Sequence, residues 1–207
     1  MAQAQPDNPL IPIQDKVVRI HSRLLEFFRN VLVKMKPMIV SLQGFLVNVK
    51  KAAKEIAKTV GKSAVESVIK MGTRLVQVVA SVEKLVIEGI KFASKILAVI
   101  RKAAKVPQKA FKVVKAMVAR LAKMFRTILS KVMEVMVVIN PIEIVLKVID
   151  TMKMMLQLVF GWITQVGSIT SGVKKAKSLI KKSVKMLKAE AKQVTEMVKD
   201  ANKLKPA

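Results

Sequence analysis

Apolar residues recur every three or four positions along almost the whole chain, and nowhere do they alternate strictly with polar ones. That periodicity predicts an all-α protein of long amphipathic helices, an elongated bundle of coiled-coil-like character with no sheet. The first stripe is Val17, Ile20, Leu24, Phe27, Val31 and Met35, giving a helix over 15–36 with Asp15 as N-cap and a break or kink at Pro37. Residues 1–14 carry Pro6, Pro9 and Pro12 and read as an extended arm, because each proline withholds a donor and restricts its predecessor.

A second, longer segment covers 38–106. From Val49 through Val68, Leu75, Val86 and Ile100 to Ala104, a small or apolar residue returns at a mean step of about 3.67, the period of an eleven-residue repeat. Lys54, Lys58, Lys62, Lys70 and Arg74 follow another face, with Glu66 the one acid in that row. Gly61, Gly72 and Gly89 are places where this segment is expected to bend or break. Pro107 divides it from a helix over 108–139, whose stripe of Phe111, Val114, Val118, Leu121, Phe125, Ile128, Val132, Val135 and Ile139 steps by about 3.5, a heptad seam. Asn140-Pro141-Ile142-Glu143 reads as a stop and restart, with Asn as N-cap, Pro at the first position and Glu at the third. An apolar, low-charge segment over 141–173 follows, and then a Lys-rich helix and tail over 174–207. The last stripe runs from Val173 through Ile180 and Leu187 to Ala201.

Composition changes this picture in one respect. The chain of 207 residues is 52% hydrophobic, yet carries 39 Lys plus Arg against 13 Asp plus Glu, a formal charge of +26. Too apolar for a disordered polycation, it must bury its stripes; too basic to be self-neutralising, it repels itself when compact unless an anion approaches. The imbalance is local. Between 50 and 105 there are 13 basic residues and 4 acidic, and between 109 and 131 there are 7 and none. From 132 to 173 the sign inverts, and 154–173 carries no charge at all. That run has transmembrane length, but its Gln, Ser, Thr and Gly content favours a helix buried in protein. Trp162 and Lys174-Lys175 keep a membrane-proximal placement open.

Candidate chemistry is sparse. There is no cysteine, no tyrosine and one histidine, His21, so thiolate sites, His-based zinc sites and a Ser-His-Asp triad away from His21 are excluded. His21 reads as an exposed or capping side chain, and no cofactor, metal or small-molecule substrate is expected. The first residues match neither a secretory signal nor an Arg-rich transit peptide.

Two clusters are the expected polyanion contacts: Lys109, Lys112, Lys115, Arg120, Lys123 and Arg126 where no acid intervenes, and Lys174, Lys175, Lys177, Lys181, Lys182, Lys185 and Lys188 in the last helix. Lysine, a hydrated point charge, outnumbers arginine 32 to 7, and no aromatics interleave with the cations to stack bases. Contact with nucleic acid or anionic lipid is therefore expected to be independent of sequence. The pattern points to a non-enzymatic structural protein of a large assembly. A minor capsid or internal component of a virus particle is the expected setting, packing against other subunits and facing a polyanion. The alternative is a membrane-active helical protein of the pore, ejection or lipid-surface type.

Overall fold

A computed structural model describes residues 8, 10–103, 107–151, 161 and 165–203, and 98% of these are helical, with no strand among them. The elements are α1 (Leu10–Phe27), a π turn (Phe28–Leu32), α2 (Val33–Lys51), α3 (Ala53–Val60), α4 (Lys62–Lys102), α5 (Pro107–Thr151) and α6 (Val166–Lys203). The all-α expectation holds, but several boundaries move.

The first helix starts at Leu10, not Asp15, so residues 10–14 belong to it and not to an arm. Asn8 supplies the cap: its side-chain oxygen accepts the Leu10 N–H at 3.0 Å and its carbonyl accepts the Ile11 N–H at 3.1 Å. Pro12 is tolerated because the first turn has no intrahelical use for its N–H. Pro37 does not end a helix; it lies inside α2, exposed, while Met35, Met38 and Leu42 are buried on the opposite side. The segment expected over 38–106 is interrupted at Ala52 and at Gly61. Gly61 adopts φ +90°, a left-handed conformation that glycine enters without a Cβ penalty. Gly72 and Gly89 stay helical. α4 closes at Lys102 and Pro107 opens α5, where its fixed φ suits the first position. Asn140-Pro141 is not a stop: α5 passes through it, with Val138, Ile139 and Ile142 buried on either side. The boundary expected between 173 and 174 also disappears, because α6 begins at Val166.

The chain divides into two compact units. The first takes α1, residues 84–102 of α4, 107–130 of α5 and 185–203 of α6. Its core is built from Leu24 of α1, Val86, Ala93 and Ile96 of α4, Leu121 and Phe125 of α5, and Leu187 of α6, all buried. Gly89 lets three helices converge, since a Cβ there would lie 3.1 Å from Leu24 Cδ1 and 3.2 Å from Ile128 Cδ1.

The second unit takes 29–83 and 131–184. Here α2 leans on both α4 and α6: a Cβ on Gly72 would meet Leu46 at 2.7 Å, and one on Gly172 would meet Met38 Cγ at 2.8 Å. α5 also reaches both, through Arg74–Glu134 to α4 and Lys177–Glu143 to α6. Each of α2 and α5 thus packs on the same two neighbours, and they occupy opposite corners of a four-helix arrangement.

These contacts set opposite expectations for two nearby residues. Leu42 is fully buried, so Leu42→Ala should lower stability by about 2–5 kcal/mol. A Cβ on Gly44 meets nothing within 4 Å, so Gly44→Ala should raise it by about 0.5–1 kcal/mol. Urea midpoints of the monomer, read by far-UV circular dichroism, check both.

Candidate polyanion-binding faces

Helix geometry decides which cations face outward. In the first unit the α5 seam of Phe111, Val114, Val118, Leu121, Phe125 and Ile128 is buried throughout, as its spacing predicts. Lys112, Lys115, Arg120, Lys123 and Arg126 fall on the opposite arc, about 140° wide at 100° per residue. All are exposed except Lys115, which is half-buried. The Lys109 side chain lies outside the described residues. Two members have internal partners: the Arg120 guanidinium sits 5.1 Å from the Phe92 ring centroid, and Arg126 Nη2 donates to Thr195 Oγ1 at 3.1 Å. Lys112 and Lys115 edge a cavity of about 350 Å³ whose floor is Ala116, Ala119, Val198 and Ala201. On α6 of the same unit, Lys185 and Lys188 are exposed, and so are Lys192 and Lys199, which continue the row at heptad spacing.

In the second unit, Lys174, Lys175, Lys181 and Lys182 of α6 are exposed, with no acid partner among the described residues. Lys177 differs. Its ammonium donates to Glu143 Oε2 at 2.8 Å, and Lys147 reaches Oε1 of the same carboxylate at 3.1 Å. Lys177 is thus an interhelix tie, not a free cation. Hydrogen bonds from Lys177 and then Lys147 hold the Glu143 carboxyl below its ordinary range, against the opposing effect of burial.

A further basic groove, of about 700 Å³, lies in this unit. Lys50 from α2, Lys70 and Arg74 from α4 and Lys131 from α5 line it, with the polar row Thr73, Gln77 and Ser81 along its wall. Its one carboxylate, Glu134, accepts from Lys131 at 2.7 Å and from Arg74 at 3.3 Å, and these bonds keep it below the usual carboxylate range. Lys50 and Lys70 have no acid partner among the described residues. The i,i+4 spacing of Lys70 and Arg74 is visible in the sequence. Their meeting with Lys50 and Lys131 is not, since it depends on how three helices pack.

His21 Nε2 shares a 3.0 Å hydrogen bond with Ser94 Oγ, an exposed tie between α1 and α4. Among the described residues no group of His, Asp or Glu side chains could hold a metal ion. Half of the uncharged run 154–173 lies outside the described residues. Its described end, 165–173, opens α6 and buries Val166, Ile169 and Val173. The helical stretch Leu10–Lys51 is long and apolar enough to cross a membrane, and 39% of its most apolar window is buried in the protein.

The Glu143 pair predicts an acid response. Its folded-state pKa is depressed, so its stabilisation is present above the unfolded value of about 4.3 and is lost as pH falls through the folded value. Glu143→Gln should cost about 1–2 kcal/mol at pH 7 and should shrink the loss between pH 6 and pH 3. Urea midpoints of both proteins at those pH values test it. Comparisons of the chain with protein-family models, with curated proteins and with solved structures find no match in any of the three.

Proposed function

We propose that this chain is a non-enzymatic structural protein of a large assembly, virion-associated as a minor capsid or internal component. Its outward cations meet nucleic acid, or another polyanion, without reading sequence. The observation that carries this reading is the α5 face: five described cations on one arc, and no acid in the sequence from 109 to 131 to neutralise them. A face of that kind gains more from releasing the counterions of a polyphosphate than from any internal pairing. Lys174, Lys175, Lys181 and Lys182, and the groove of Lys50, Lys70, Arg74 and Lys131, offer the same chemistry in the second unit. Lysine supplies point charges, which track phosphates and not base edges. The apolar stretch Leu10–Lys51 favours one other reading, a membrane-active helical protein drawn to anionic lipid.

Binding isotherms on two unrelated duplexes, across a salt series, test the proposal. Affinity should be the same for both and fall steeply with salt. Replacing Lys112, Lys123 and Arg126 together by Gln should weaken both alike and reduce the log–log salt slope by about 0.9 for each phosphate no longer neutralised. Unchanged affinity and slope would overturn the polyanion role. Binding to anionic vesicles, with none to DNA or RNA, would select the membrane reading instead.

A further inference from the structure

The second unit leaves two apolar helix faces in the open. On α2, Val33, Pro37, Val40, Gly44 and Val47 are all exposed and recur at steps of four and three, a heptad seam with nothing on it. On α5, Met133, Val137, Ile144 and Val148 form the other, and Val137 and Ile144, 67% and 63% exposed, are the barest large apolar side chains among the described residues. These seams lie on opposite corners of the unit, because α2 and α5 each pack against both α4 and α6.

We propose that each seam is filled by a second copy of this chain, α2 of one copy docking on α5 of the next. This rests on the assembly reading above and names its partner. Three observations choose that occupant. The first is charge. A protein of charge +26 can meet itself only where the like charge is absent, and no charged residue falls between Lys36 and Lys50 on α2. The flanks differ: residues 30–54 hold five lysines and no acid, whereas beside the α5 seam the cations are largely offset, Lys131 and Arg74 by Glu134 and Lys147 and Lys177 by Glu143. Two α2 faces would repel each other; α2 against α5 does not.

The second is fit. At 1.5 Å per residue, the two seams are about 21 Å and 22 Å long. The α2 seam is small, three valines and Pro37 with Gly44 one step from its C-terminal end, while the α5 seam carries the larger Met133 and Ile144 beside two valines. Gly44 sits in a helix interior at a cost of about 1 kcal/mol, and no atom of its own chain comes near enough to require it. A helix approaching from outside does require it.

The third is placement. A bilayer on whose surface the unit lies covers one of two opposite corners, whereas neighbouring copies cover both. The contact is heterologous, so it propagates into a ring or a filament and not a closed pair.

The test uses Val40→Glu and Val137→Glu, each of which would bury a carboxylate in the apolar seam between α2 of one copy and α5 of the next. Both sites are exposed in the single chain, so far-UV spectra should not change. The native protein should show a mass above 22.9 kDa that grows with concentration, in analytical ultracentrifugation. Each variant alone should lose self-association at least about tenfold. An equimolar mixture should recover pairs and nothing larger, because it restores one good α2–α5 junction and sets the two introduced carboxylates against each other at the other. A native chain that stays monomeric overturns the proposal. So does dimer retained by Val40→Glu alone, which would mean like faces pair, or failure of the mixture to recover pairs. Loss of binding to neutral vesicles by the variants, with no native self-association, overturns it in favour of a membrane. Affinity for a short duplex should be equal in all three proteins, so a failure of the polyanion reading leaves the mass measurements standing.

Discussion

Compaction of a chain with three cations for every carboxylate depends on where the few carboxylates are spent. Three of them sit where helices meet, and each gathers two cations. Glu190 of α6 is almost fully buried, and its Oε1 receives Arg19 at 2.9 Å and Arg23 at 3.4 Å, joining α6 to α1. Glu143 of α5 holds Lys147 and Lys177 and joins α5 to α6. Glu134 holds Lys131 and Arg74 and joins α5 to α4. The cations of these groups are partly exposed, so the ties are screened by water, but the Glu190 and Glu143 carboxylates are themselves buried and would be costly to leave without a partner. Glu190 is desolvated beyond what its two arginines offset, since its Oε2 is buried with no hydrogen-bond partner among the described residues. The exposed ties, such as Lys16–Asp200 and Lys58–Glu55, add little to stability and steer local geometry instead.

With the carboxylates used between helices, the outer faces are left to lysine. This links the interior to the proposed function. An arc such as that on α5 from Lys112 to Arg126 could have been balanced by acids at i+4, as Lys62 is by Glu66. It is not, so its field extends into solvent and is strongest toward a partner that carries phosphate.

Much of the fold is legible in the sequence because a helix announces its buried side. Every stripe position named from Phe111 to Ile139 is buried, and so is every one from Val17 to Met35. Helix ends were less legible. Pro37 and Pro141 are breaking signals by local chemistry, yet each lies in a helix whose neighbours bury apolar side chains on both sides of it, and that burial outweighs the missing bond and clash of about 3 kcal/mol. Asn8 was the true first cap, hidden because Pro9 and Pro12 made its surroundings look extended. Among the cations, outward placement followed from the wheel, but Lys177 could not be told from its neighbours. Only the packing of α6 on α5 brings Glu143, 34 residues earlier, to its ammonium.

The same tension between charge and burial separates the chain's two kinds of outward surface. Where cations crowd, as on 109–126, the apolar residues are nearly all drawn inside, and Val113 is the one large apolar side chain left exposed among the described residues there. Where the charge thins, as on 37–49 of α2 and 133–148 of α5, valine, isoleucine and methionine remain in contact with water. Exposed apolar surface is tolerable for a protein that stays apart from its copies by repulsion, and hazardous for one that does not. Salt or a bound polyanion screens that repulsion while leaving the apolar faces unchanged. The proposed seam contact should therefore strengthen as salt is added, the opposite of the response expected of polyanion binding, because screening removes the repulsion between copies and leaves the apolar burial in place.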